Sequence, residues 1–245
     1  MSVRNLMNTV IYTVAVFAAT VAVQIYQPAT GGYFNLGEAV IYLAALTTSP
    51  IVAGIAGGVG AALADAATGY SIFAPATLVI KFAEGYVAGY LVRRFRGSGQ
   101  EKALSFLVGG AYTLLLIYFA AVLWSGEIYV GPEQFLGKTV ETPLISIPLA
   151  AWVVIALVIG GALTYSLLKR YVAAAEAPLL LASGLIMVMG YFLYEYFVSN
   201  PLTNRPPVDA IAEIPVNIGQ AVIGAALAVP IAAWLRRAGY AETGD

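Results

Sequence analysis

Apolar runs close to the ~20 residues that an α-helix needs to cross a hydrocarbon core leave this chain few ways to fold. Leu6 to Tyr26, Ala103 to Trp124, Leu144 to Leu168, Pro178 to Val198 and Ala212 to Leu235 each hold at most one charged side chain. Their length excludes the shorter alternating strands of a membrane β-barrel. With 60% hydrophobic and 10% charged residues and a mean hydropathy of +0.84, the chain lacks the polar surface a soluble domain requires. The expectation is an all-α, polytopic membrane helical bundle forming one domain over residues 1–245, a multi-pass protein of the cell membrane.

Between these runs lie three further helical stretches. Leu36 to Thr48 is short, roughly 20 Å at 1.5 Å per residue, so it must be sunk into the bundle or sit where the bilayer thins. Pro50 suits the first turn of a helix reaching about Gly69, and another starts at Pro75 and ends in the basic segment "VRRFRGSGQEK". About eight transmembrane helices result. The first run follows a lone Arg4, exceeds a typical signal-peptide core and has no small-residue cleavage site, so it is read as the first membrane helix.

In an eight-helix path Arg4, Arg93, Arg94, Arg96, Lys102, Lys169, Arg170, Arg236 and Arg237 fall on one side, against Lys138 and Arg205 on the other. Basic loops face the cytoplasm, which puts both termini there. The segment from Ser125 to Pro143 is then an extracytoplasmic loop, either a lid or a solvated connector.

The segment Tyr33 to Val92 carries Glu38, Asp65, Lys81 and Glu84 in an apolar, glycine-rich background. Glu195 closes a later run, and Glu213 with Asn217 opens the last. All are expected in the outer half of the membrane. A charge near the bilayer centre costs about 2.5–3.5 kcal/mol on the lenient insertion scale, so the group should converge on a bundle interior or an outward cavity. Thr77, Lys81 and Glu84 share a helix face, as do Glu213, Asn217 and Gln220, and Tyr191 with Glu195. Lys81 paired with Glu84, Asp65 or Glu195 as plain interhelical glue is the competing reading. Gly54, Gly57, Gly58, Gly60 and Ala61 make overlapping small-residue repeats suited to close helix packing, and Ala15, Ala18, Ala19 and Ala22 form a row on the first helix.

The segments "FNLGEAVIYLAAL", "IAGGVGAALADAATGY", "FAPATLVIKFAEGYVAGYL", "MVMGYFLYEYF" and "AEIPVNIGQAVIGAALAVPI" resemble the substrate-binding membrane subunit, or S component, of energy-coupling-factor (ECF) vitamin transporters, nearest the riboflavin-type branch. The resemblance covers Tyr33 to Val92 and Met187 to Arg237. It implies capture of a water-soluble vitamin or precursor, riboflavin first, from outside. Partners would be a transmembrane coupling subunit, two ABC-type ATPases and the lipid bilayer, with no nucleic acid, cofactor or metal. Substrate-binding candidates are Asn35, Glu38, Asp65, Tyr70, Lys81, Glu84, Tyr191, Glu195, Glu213, Asn217 and Gln220, with Tyr33, Tyr86 and Tyr194 as further stacking candidates. The family's alanine row on helix one corresponds here to Ala15, Ala18, Ala19 and Ala22, the expected coupling-subunit interface.

Family members have six membrane helices, so residues of about 103–168 read as an inserted helical hairpin. The chain lacks a G-x-x-x-x-G-K-[ST] loop, which assigns ATP hydrolysis to partners. A self-sufficient secondary transporter is one alternative. An intramembrane enzyme using carboxylates is another, disfavoured because the chain has no histidine or cysteine and no evident nucleophile and base pair.

Overall fold

The computed structural model describes residues 2–27, 32–95, 102–170 and 172–240. Arg96, with the rest of 96–101, and residues 28–31 lie outside the described residues. Among the described residues eight helices of 11 residues or more build the bundle: α1 Val3–Ala22, α2 Gly37–Thr47, α3 Pro50–Ala67, α4 Ala74–Phe95, α5 Lys102–Phe119, α6 Leu149–Leu168, α7 Glu176–Tyr194 and α8 Glu213–Arg237. Single π-turns extend α5 through Ala120–Trp124 and α7 through Glu195–Ser199. Six of the helices are long and apolar enough to span a bilayer. The protein is a polytopic helical membrane protein, as its composition requires.

Short antiparallel ribbons decorate one end. Strand β1 (Gln24–Gln27) pairs with β2 (Gly32–Asn35), β3 (Gly126–Tyr129) with β6 (Leu144–Ile147), and β4 (Gln134–Phe135) with β5 (Lys138–Thr139). Two helix boundaries move as a result. Helix α1 stops at Ala22 rather than Tyr26, because the β-prone run from Val23 to Tyr26 pairs with β2 instead of continuing the helix. Helix α6 begins at Leu149 rather than Leu144, because Pro148 is extended, with ψ at 151°, and disfavours helix in the residue before it.

The short α2 has a structural explanation. At 11 residues it covers only about 16 Å. Extended β2 precedes it and adds about 13 Å, so the two together match a ~30 Å core. They run alongside α8: Gly32 lies by Glu213, Asn35 by Gln220, Glu38 by Gly224 and Leu46 by Arg236. Extended backbone at membrane depth is tolerated where polar groups meet its needs. Here the Asn35 amide N–H donates to Gln220 Oε1 at 3.0 Å and the Gly37 N–H to Asn35 Oδ1 at 2.9 Å.

Glycines set the distance between α3 and α4. A Cβ on Gly58 would stand 2.5 Å from the Leu78 carbonyl oxygen, and one on Gly85 would stand 2.6 Å from that of Ala53. Gly60 does the same for α1, where a Cβ would lie 2.7 Å from the Thr13 carbonyl. Helices α5 and α6 pack on each other and against α8. At the end opposite the ribbons, Arg236 ties α8 to α7 and α2 through Glu176 Oε2 at 3.2 Å and the Leu46 carbonyl at 2.7 Å.

Candidate functional site

The end of α1, β2, the start of α2, the end of α3, the start of α4, the end of α7 and the start of α8 enclose one cleft. It opens at the ribbon end of the bundle, away from Arg93, Arg94, Lys169, Arg170 and Arg237. Its enclosed volume is about 40 Å³, room for a few water molecules, and about 530 Å³ is free once the open mouth is included. Ten of the eleven substrate-binding candidates line it; Glu84 does not.

The floor is an ion cluster. Lys81 Nζ donates to Glu38 Oε2, to Glu84 Oε2 at 3.0 Å and to Met187 Sδ at 2.6 Å. Glu84 stands behind Lys81 and accepts the Tyr42 hydroxyl at 3.0 Å. Glycine makes room for this too: a Cβ on Gly184 would meet the Tyr42 hydroxyl at 2.7 Å, and one on Gly224 would meet Glu38 at 2.8 Å. Lys81 therefore pairs with Glu84, as one expectation had it, and with Glu38, rather than with Asp65 or Glu195. Glu38 is level with Gly224, eleven residues or about 16 Å along α8 from Glu213. The floor thus lies level with the middle of α8.

Asp65 belongs to a second group on one wall. Its Oδ1 accepts the Tyr33 hydroxyl and its Oδ2 the Thr77 hydroxyl, each at 2.5 Å, and Thr77 reaches the Tyr191 hydroxyl at 3.0 Å. Tyr191 also lies 5.9 Å beneath the Lys81 ammonium, joining wall to floor. Tyr33 packs on Tyr70 at 4.5 Å between ring centroids, and Tyr70 is followed by Phe73 at 6.5 Å. Tyr194 stands outside the cleft and supports this aromatic rim by donating to the Ile72 carbonyl at 2.5 Å. Tyr86 points elsewhere: it is 42% exposed on α4 and stacks on Phe82.

The opposite wall is α7 and α8. Glu195 opens the π-turn after α7, a distortion that recurs at functional sites. Glu213, Asn217 and Gln220 descend one face of α8, Gln220 accepting both Asn35 nitrogens at 3.0 and 3.1 Å. Among the described residues of the cleft lining, Thr20 Oγ1, Glu38 Oε1, Glu195 Oε2 and Asn217 Nδ2 are buried polar atoms with no partner. A buried polar atom left unpaired costs about 1–3 kcal/mol, and a ligand that pairs with it recovers that cost.

Sequence reasoning passed over Thr20, Tyr42 and Met187. Tyr42 carried a signal, lying four residues after Glu38 and so on the same helix face. Thr20 and Met187 sit within apolar runs and carried none. Of the α1 row, Ala18 and Ala22 are exposed and Ala15 and Ala19 half-buried, beside the exposed Ile11 and Val14. The loop after α5 docks at the mouth of the cleft. Gly131 N–H donates to the Gln24 carbonyl at 2.8 Å and Leu136 N–H to that of Ala67 at 2.7 Å, so it braces β1 and the end of α3.

Residues 1–173 match the family model described as ECF-type riboflavin transporter, S component. The matched span runs through α5 and α6 and ends before α7. An uncharacterised protein of Pyrococcus woesei is 36% identical over 156 residues, which cover 64% of this chain and 96% of that protein. No solved structure matches.

Proposed function

The chain belongs to the family of ECF-type riboflavin transporter S components, and from that premise we propose that it captures a water-soluble vitamin, riboflavin first, for an ATP-driven importer. The observation that carries this reading is the outward cleft itself. Lined by aromatic rings on one side and polar side chains on the other, it holds buried hydrogen-bonding atoms with nothing to bind. The Tyr33–Tyr70 pair offers a stacking surface for a heteroaromatic ring, and Glu38, Glu195 and Asn217 offer polar contacts around it. The enclosed space is too small for a vitamin, so ligand entry moves the rim side chains apart.

Release to the cytoplasm requires partners. The exposed side of α1, with Ala18 and Ala22 at its centre, is the face offered to a transmembrane coupling subunit that works with two ABC-type ATPases. In this arrangement α1–α4, α7 and α8 form the six-helix binding core, and residues of about 103–168 are an inserted hairpin that packs on α8 outside the cleft. The basic helix ends at Arg93, Arg94, Lys169, Arg170 and Arg237 support the reading with both termini in the cytoplasm and the cleft outside.

Purification followed by mass spectrometry of the co-purifying small molecule tests the reading directly. A stoichiometric flavin supports it. Purified protein that carries no ligand and does not quench riboflavin fluorescence refutes the riboflavin assignment.

A further inference from the structure

Away from the cleft, a second cavity lies on the outside of the bundle, between α5 and α7. Tyr112 closes it toward the basic end, where its hydroxyl donates to the Ala177 carbonyl at 2.6 Å and ties the two helices together. One turn beyond that bond a groove begins. Leu115 forms one side, Leu181, Leu185 and Val188 the other, and Ile218 and Val222 of α8 the base. Among the described residues no polar side chain lines it, so water there would find no hydrogen-bonding partner. Helices α5, α7 and α8 are all long and apolar enough to span a bilayer. Leu115 stands about 20 Å along α5 from Lys102, and Leu185 about 14 Å along α7 from Glu176, so the groove lies well inside those spans.

Size and surroundings decide what fits. The groove has a volume of about 280 Å³. One turn of α-helix, ~10 Å across and ~5.4 Å high, occupies about 400 Å³, so a partner helix does not enter. About nine methylene groups do, each being close in size to the ~30 Å³ share of a water molecule. Leu185 both lines the groove and is exposed, as are Leu114 beside Leu115 and Met189 one turn after Leu185, which makes the groove continuous with the lipid-facing surface. Behind it stand Gly184 and Ala221. A Cβ on Gly184 would lie 2.7 Å from the Tyr42 hydroxyl and 3.7 Å from Glu84 Oε1, so a single glycine separates the groove from the buried carboxylate of the ion cluster.

We propose that this groove binds one hydrocarbon chain of a bilayer phospholipid, and that the chain seals the bundle behind Glu84. A chain in the groove restores the dispersion contacts that an empty gap forfeits. It also keeps water away from Glu84, whose two carboxylate oxygens already have partners in Tyr42 and Lys81 and need none from solvent. In that dry setting the ion pair is electrostatically stronger than beside water. The site stands apart from the vitamin cleft and does not depend on which ligand the cleft takes.

A phosphatidylglycerol carrying a diazirine midway along one chain, placed in nanodiscs with the purified full chain, tests this. After photolysis, peptide mass spectrometry should find label around Leu115 and from Leu181 to Val188 about tenfold above that on the exposed Val154, Leu157 and Val158 of α6. Ala182 lines the groove from its exposed side, so Ala182→Phe places a ring there and should bring groove labelling down to the α6 level. Leu115→Phe, from the opposite side, carries the same expectation should the first variant fail to fold. Label spread evenly over α5, α6 and α7 of the wild-type protein overturns the proposal, because it is ordinary contact with the bilayer. Undiminished groove labelling in a folded variant overturns it too. Added to detergent-purified protein, the same lipid without the diazirine should raise the melting midpoint of the wild type more than that of Ala182→Phe, and equal rises would overturn the seal.

Discussion

Lys81 is the cation at the centre of the cleft floor. Its ammonium sits between Glu38 and Glu84 and over the Tyr191 ring, at 3% exposure. Removing one partner of a buried ion cluster leaves charge uncompensated, at a cost of about 3–5 kcal/mol. Lys81→Ala is accordingly expected to lower the thermal midpoint sharply as well as weaken binding, and Lys81→Met with Glu84→Gln to recover much of the midpoint. A Lys81→Ala protein as stable as wild type would contradict the cluster. Asn217 differs, since its Nδ2 has no protein partner to lose. Asn217→Ala should therefore keep wild-type stability while reducing ligand affinity by roughly tenfold, about 1.4 kcal/mol. Calorimetric titration beside a melting curve separates the two effects.

The α3–α4 pair depends on backbone proximity. A Cβ on Gly58 would stand 2.5 Å from the Leu78 carbonyl and 3.0 Å from Phe82 Cβ, and neither neighbour is the free end of a side chain. Gly58→Val should cost about 1–3 kcal/mol through overpacking and should loosen the Asp65 wall at the end of the same helix. Gly110 on α5 is the control, because a Cβ there meets nothing within 4 Å. Gly110→Ala should be neutral or stabilise by up to about 1 kcal/mol through helix propensity. Equal loss of stability in both variants would show that glycine content in general, and not the α3–α4 approach, is what matters. Strand β2 and helix α2 carry a related lesson: a crossing half extended and half helical puts Asn35 and Glu38 inside the cleft, where an unbroken helix would turn some of its polar positions away.

For the molecule as a whole, the cleft opens at one end while the exposed side of α1 runs down the periphery. Binding and coupling should therefore separate. Ala18→Trp is expected to abolish association with a coupling subunit, measured by co-purification, and to leave ligand affinity unchanged; normal uptake by that variant would refute the interface. Ligand that binds only the folded bundle should stabilise it by about 2.7 kcal/mol at a hundred times its Kd, read as an upward shift in the melting temperature. Disruption of the Arg236–Glu176 pair at the far end should lower stability without altering that ligand-dependent increment.

Helix number, membrane residence and the identity of the polar residues were legible in the residues themselves, because hydrocarbon imposes run length and helical periodicity locally. Thr77, Lys81 and Glu84 could be placed on one face from spacing alone, and so could Glu213, Asn217 and Gln220. Partnership was not legible. That Lys81 meets Glu38, 43 positions away, and that Asp65 instead meets Tyr33 and Thr77, depends on how each helix is rotated and how closely it approaches its neighbour. Those quantities are set by contacts between distant glycines and carbonyls, such as Gly58 with Leu78 and Gly184 with Tyr42, which leave no periodic trace. The same holds for Thr20 and Met187, ordinary members of apolar runs until packing turns one toward the cleft and the other onto Lys81. Solvent writes the elements into the chain, while the fit of one helix against another assembles the site.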